Sequence, residues 1–483
     1  MYQCPIDYYT GNLIFNADKS CWAAYRLKGQ NYDHLSANQK INRLYQFASL
    51  CGGIMSEAQI IIPPIEEDAE EHFKNLKERL NPTDVLYARA TQQIDMTKDY
   101  LKSGAGLQNR DNDYATYFFV KLDEAAEYET LNRLGDMVRY FVKDPVNAIN
   151  VQMNLDTKDI LRSKLEAFQK LADEWYEKSN LKVRMEPLDR EETQWVFRRM
   201  AYRGTGQGIK LFYQSQTKDS WSPLYEELEV RKEKIIKPYH RDVANLFSGL
   251  IERKHRGIKV STGFSESYQT FLTITHLPDE KEFPGEEWIY ELQRQNLKAE
   301  VCIHIKLMPH RKALEELEKQ KTGIKSQKEH IRKAGYKVPE DIQLADIYAE
   351  EMESELKANR SPILYTSITI CLADSDPEKL EKRCSRVKEL YDRMNIVVER
   401  PLTDQVKLYM SFIPSVTNTI SDFILKLTPR TLASGIIGVT RSLGDLRGGY
   451  IGTTGKEKKP VYFSLELAAL LNKSPAATFF GDL

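Results

Sequence analysis

The residues Phe479-Phe480-Gly481 close the apolar run that begins at Ala476, and they set out the opening of a phosphate-binding loop. Such a loop follows a buried strand and needs Gly-x-x-x-x-Gly-Lys-[Ser/Thr]. Its backbone N–H groups cradle phosphates, its lysine reaches the outer ones, and its hydroxyl holds magnesium. Gly481 fits the first position, while the second glycine, the lysine and the hydroxyl are not among the 483 residues. An apolar strand that merely meets a glycine reads the same way. What precedes it must separate the two.

Other candidates for chemistry carry a plainer reading beside the functional one. Gly204-Thr205-Gly206-Gln207-Gly208 has loop-like glycines, yet it follows Tyr202-Arg203 at a helix end and has no lysine or hydroxyl at the required offset. It is read as a connector. Cys302 and His304 could begin a metal site, but nothing nearby completes it, so His304 is expected at a surface or interface, as are His276 and His310. Tyr117 and Phe119 could stack nucleic-acid bases on an open sheet face. The basic-Gly-aromatic pattern of such sheets is missing, and packing is expected instead. The run from Glu315 to Lys321, continued by Lys325, Lys328 and Arg332, reads as a solvated helix with mixed i,i+4 pairs, or as a hairpin that reaches a partner.

The elements that position these residues follow from periodicity. Asn12–Phe15 and Cys21–Leu27 read as strands around a turn, and Ser36 with Gln39 forms a capping-box pattern before a helix with Ile41, Leu44, Tyr45 and Ala48 inward. Gln59–Ile62 is a strand stopped by Pro63-Pro64, and charged helices run from 68 to 102. The strand with Thr116, Phe118, Val120 and Leu122 on one face leads to a helix with Leu131, Leu134, Val138 and Phe141, then to one with Leu161, Leu165, Phe168 and Trp175. The second half repeats this order: strand 271–275, a helix after Pro284-Gly285, strand 301–307, helices 311–334 and 341–356, strand 364–372, a helix begun by Asp376-Pro377, and strand 396–398.

This order predicts an α+β chain with two ferredoxin-like split βαβ units, each with a charged helical insertion. The first unit is placed at 1–188, a helical connector at 189–262, the second unit with its helical hairpin at 263–400, and a Gly-rich β collar at 401–474. Residues 475–483 would be the first strand of an incomplete RecA-like domain.

Composition bounds the function. Hydrophobic content of 41% is enough for real cores, and a net charge of -1 gives no global attraction to nucleic acid or an anionic membrane. Six scattered cysteines without a Cys-x-x-Cys pair suit a reducing, cytoplasmic setting. No apolar stretch approaches the ~20 residues of a membrane span, so membrane contact is expected through partners.

The opening Asn12-Leu13-Ile14-Phe15, Trp22-Ala23-Ala24-Tyr25 and Tyr32 is similar to the start of conjugation ATPases from Gram-positive mobile elements, the TraC/TrbE-like, VirB-type ATPases of type IV secretion systems. Gln405–Pro414 resembles a strand of that family ending in proline, and Gly449–Gly452 with Lys459–Phe463 resembles its glycine turn and strand before the motor. Asn472–Pro475 and Phe479–Gly481 resemble the approach to its Walker A motif. The resemblance implies an N-terminal α+β region that docks on conjugation channel components at the inner face of the membrane. It also implies a RecA-like ATPase that assembles as a hexamer, making the protein cytoplasmic and peripheral. ATP and magnesium are then expected only with a C-terminal domain, and Gly481 is the one cofactor-binding residue carried over. These residues lack the Walker A lysine, the Walker B carboxylates and the arginine finger, so hydrolysis by them is not expected. DNA read past Leu483 is expected to supply the rest of the loop. The alternative is a self-standing cytoplasmic scaffold or nucleic-acid-binding protein with ferredoxin-like units, although charge does not support nucleic acid.

Overall fold

The computed structural model describes residues 5–33, 35–65, 69–103, 113–122, 160–205, 225–230, 233–238, 249–263, 265–278, 283–295, 297–359, 362–418, 420, 422–440, 448–453, 460–464 and 466. The chain is α+β and divides into two compact units. The larger comprises Met1–Lys28, Ala37–Ile62 and Thr116–Ile437; the smaller comprises Gly29–Ser36, Pro63–Ala115 and Gly438–Leu483.

Thirteen strands of the larger unit join in one sheet in which every pairing is antiparallel. In chain order they are β1 (Ile6–Thr10), β2 (Leu13–Asn16), β3 (Cys21–Leu27), β4 (Glu57–Ile62), β5 (Tyr117–Leu122), β6 (Met185–Pro187), β7 (Leu250–Lys254), β8 (Gly257–Ser261), β9 (Glu266–His276), β10 (Glu300–Met308), β11 (Ile363–Asp374), β12 (Val397–Glu399) and β13 (Leu425–Leu427). Among the described residues the helices of this unit are α1 (Ala37–Cys51), α2 (Arg162–Asn180), α3 (Arg190–Tyr202), α4 (Trp288–Arg294), α5 (His310–Lys333), α6 (Glu340–Asn359), α7 (Pro377–Asp392), α8 (Gln405–Ser411) and α9 (Pro429–Ala433).

Across the sheet the order is β1-β2-β3-β5-β4-β10-β11-β9-β8-β7, with β6 beside β3, β12 beside β9 and β13 beside β11. Leaving aside the smaller unit, strand Ile160–Leu161 and the pair α5 and α6, the described elements of each half run hairpin, strand, helix, two strands, helix and short strand: β1-β2-β3-α1-β4-β5-α2-β6, then β7-β8-β9-α4-β10-β11-α7-β12. The strand order is therefore the same from either end, and the halves meet where β4 pairs with β10.

Alternation along these strands gives the sheet two different faces. Ile60, Ile62, Phe118, Val120, Val301, Ile303, Ile305, Ile368 and Ile370 share one face and are all buried. Burying each such side chain contributes about 1.5–3 kcal/mol. Trp175 of α2 stacks on Phe118 there with centroids 5.7 Å apart, and the Tyr25 hydroxyl donates to the Ala172 carbonyl at 2.9 Å. The opposite face carries Gln59, Tyr117, Phe119, Gln269, Glu300, Cys302 and His304, also buried.

Local rules fix the helices on both faces. Asp189 caps α3 by accepting from Glu192 N at 2.8 Å, and Gly204 stops it at φ +71°. A Cβ on Gly204 would lie 2.5 Å from Asp374 N, so only glycine lets the helix end abut β11. Asp376 caps α7, with Pro377 in its first turn. Helices α5 and α6 form an antiparallel hairpin between β10 and β11. Its base packs Ala313, Leu317, Ala349 and Ile363, and Lys321–Glu353 and Lys328–Asp346 ion pairs run along its shaft.

The smaller unit gathers helices Ala69–Glu78 and Tyr87–Ser103 with the antiparallel strands Gly449–Thr453 and Pro460–Phe463 around Phe73, Ile94 and Tyr462. Strands Pro64–Ile65 and Asp113–Tyr114 pair antiparallel, and Gln30–Asn31 pairs parallel with Val439–Thr440.

Several sequence expectations need correction. Among the described residues of the stretch 189–262, where a helical connector was expected, one helix, α3, is followed by strands Tyr225–Val230, Glu233–Pro238, β7 and β8. Its last two strands belong to the second half as the counterpart of β1 and β2. Residues 401–437 carry α8, α9 and β13 within the larger unit, whereas 438 onward belongs to the smaller. Tyr45 lies outward on α1, whose buried residues are Leu44, Phe47, Leu50 and Cys51. The helix expected around Leu131 to Phe141 and the strand before Gly481 lie outside the described residues.

Candidate functional site

The polar face of the sheet is closed by α3 and by the strap 401–415, and the two are joined to it through buried side chains. Glu300 opens β10 and is 3% exposed. Its carboxylate accepts from Arg199 Nε at 2.9 Å and Nη2 at 2.5 Å, and from Arg203 Nε at 2.7 Å and Nη2 at 2.8 Å. Arg199 and Arg203 lie four residues apart, so one face of α3 delivers both. Burial pushes the Glu300 carboxyl up, but the two guanidiniums more than offset this and hold it below the ordinary carboxylate range.

The cluster carries one surplus positive charge, which neutral groups solvate. Arg199 Nη2 donates to the Phe412 carbonyl at 3.2 Å and Nη1 to that of Val196. Arg203 Nη1 reaches Gln269 Oε1 at 3.3 Å, and its guanidinium lies 4.7 Å from the centroid of the Phe412 ring.

Next to this cluster, the strap's backbone is held by side chains of both sheet halves. Gln59 Nε2 donates to the carbonyls of Ser411 at 2.9 Å and Ile413 at 3.0 Å, and Gln59 Oε1 accepts from Ser415 N at 2.7 Å. His304, opposite Gln59 in the register, places Nε2 2.8 Å from the Ser411 carbonyl. Asn16 Nδ2 donates to the Ser415 carbonyl at 2.6 Å, and Ser415 sits at φ +63°. Gln405 mends a gap in the ladder. On β9, residues 266–269 pair with β8 and 273–276 with β12, and the Gln405 amide bonds both the N–H and the carbonyl of Phe271 between them, at 2.9 and 3.0 Å.

These groups are committed to each other. Burial lowers the pKa of His304 to about 4 against the bond to Ser411, so the ring is neutral and donates from Nε2 at neutral pH. Burial pushes the Cys302 and Cys371 thiols up to about 12, so both stay protonated at neutral pH. Among the described residues, no three His, Cys, Asp or Glu side chains gather as a metal site. The arrangement works as a joint: it fixes the strap to both halves of the sheet at once.

The chain matches no protein-family model and no curated protein.

Of the residues singled out in the sequence, Gly481 lies outside the described residues, as do Gly206, Gln207 and Gly208. Gly204 ends α3 against β11. Cys302 and His304 do come together, with Sγ and Nε2 3.5 Å apart, but in a buried layer instead of at a surface. Tyr117 and Phe119 are buried, Tyr117 donating to Glu192 Oε1 at 3.0 Å and packing on Trp195, so neither offers a stacking face. Sequence reasoning missed Arg199, Arg203, Glu300, Gln59 and Gln405. A signal existed in α3, where two arginines at i,i+4 are set among Trp195, Val196, Phe197 and Met200. Such charges within an apolar stretch need a buried partner.

Proposed function

We propose that this chain supplies the assembly and docking region of a conjugative-transfer ATPase, and that each half of its large sheet is a ferredoxin-like split βαβ unit. The resemblance of Asn12–Tyr25 and of the stretch from Gln405 to Gly481 to the VirB-type ATPases of type IV secretion motivates the family. The observation that carries the mechanical role is the joint at the strap. Residues 405–415 are fastened by Asn16 and Gln59 from one half and by Glu300, through Arg199, and His304 from the other. Load arriving along the chain beyond Ser415 would enter both halves together, which is what a platform under a cyclic motor needs. Nucleotide chemistry in this reading belongs to a RecA-like domain that uses ATP and magnesium and assembles as a hexamer. The platform works at the cytoplasmic side of the membrane against channel components.

The test is genetic and biochemical. In cells that carry the parent mobile element, loss of this gene should abolish conjugative transfer, and an affinity-tagged copy should restore transfer and co-purify with membrane channel proteins. Normal transfer without the gene, with no channel protein recovered on the tagged copy, would overturn the proposal and leave the scaffold reading in its place.

A further inference from the structure

We draw no further inference here: the strongest candidate, the exposed apolar side chains of Val85, Leu86, Met96 and Tyr100 at the start and along the helix Tyr87–Ser103 of the smaller unit, carries nothing because nothing in the structure shows what covers them.

Discussion

Replacing Glu300 by glutamine should be among the most damaging single substitutions this protein can receive. The change keeps shape and volume but withdraws the carboxylate that, among the described residues, pairs with two buried guanidiniums, each held by two N–H bonds at 2.5–2.9 Å. Arg199 and Arg203 would then be left with neutral acceptors, chiefly the carbonyls of Val196 and Phe412 and the Gln269 amide. Removing one member of a buried, hydrogen-bonded ion pair costs about 3–5 kcal/mol, against about 0–1 kcal/mol for an exposed pair. Urea unfolding of wild type and E300Q, followed by circular dichroism, gives the difference. A companion variant, Arg199→Met/Arg203→Met/Glu300→Leu, removes the charges together and should recover most of that loss. It should stay below wild type by the ~1 kcal/mol of the bond to the Phe412 carbonyl. A loss under about 1 kcal/mol in E300Q, or a triple variant no better than E300Q, would refute the reasoning that an uncompensated buried charge is what costs.

Three further outcomes follow from the same structure. His304 is held near pKa 4 in the folded state against about 6.5 in the unfolded chain, so the unfolded form binds the extra proton between those values. Stability should be fully present above pH 6.5 and fall by about 1.4 kcal/mol per pH unit down to about pH 4, a slope that His304→Gln flattens; an unchanged slope in that variant would exclude His304 as its source. Cys21, Cys51, Cys302, Cys371 and Cys384 are buried free thiols, and burial pushes the pKa of each upward, so thiol reagents at neutral pH should modify none of them until the protein is unfolded, as peptide mass mapping would report. Gly204→Ala forces a side chain into a left-handed backbone and against Asp374, and should cost at least about 2 kcal/mol in the same urea assay; a neutral result would mean that α3 can end without that contact.

Much of the α+β order was legible because each element carries its own local signal. Val301, Ile303 and Ile305 announce β10 by alternation, and Asp376-Pro377 announces α7 by its cap. The hairpin was legible from its charge pairs, and its helices run within a few residues of the expected bounds. The strap was not. The family resemblance places a strand at Gln405–Pro414, but Gln405–Ser411 is a short helix, and tertiary bonds from Gln59 and His304 bind the carbonyl of Ser411 at its end. Nothing local encodes a partner more than 300 residues away. The hairpin β7–β8 was missed for a different reason. Leu250-Ile251-Glu252-Arg253-Lys254 is a charged edge strand, and its assignment depends on the neighbour it pairs with. The polar face misled in the opposite direction, because histidine, glutamine and glutamate within a strand suggest solvent until a covering layer is known.

A sheet whose strand order is the same from both ends is what two like units produce when like edges pair across a dyad. Here the two halves share a chain, so their association does not depend on concentration. The halves differ at the seam, where Gln59 faces His304. They differ again between the second and third core strands: in one half residues 63–115 belong to the smaller unit, and in the other a helical hairpin follows. One kind of framework thus carries two different insertions at the same point of its strand order.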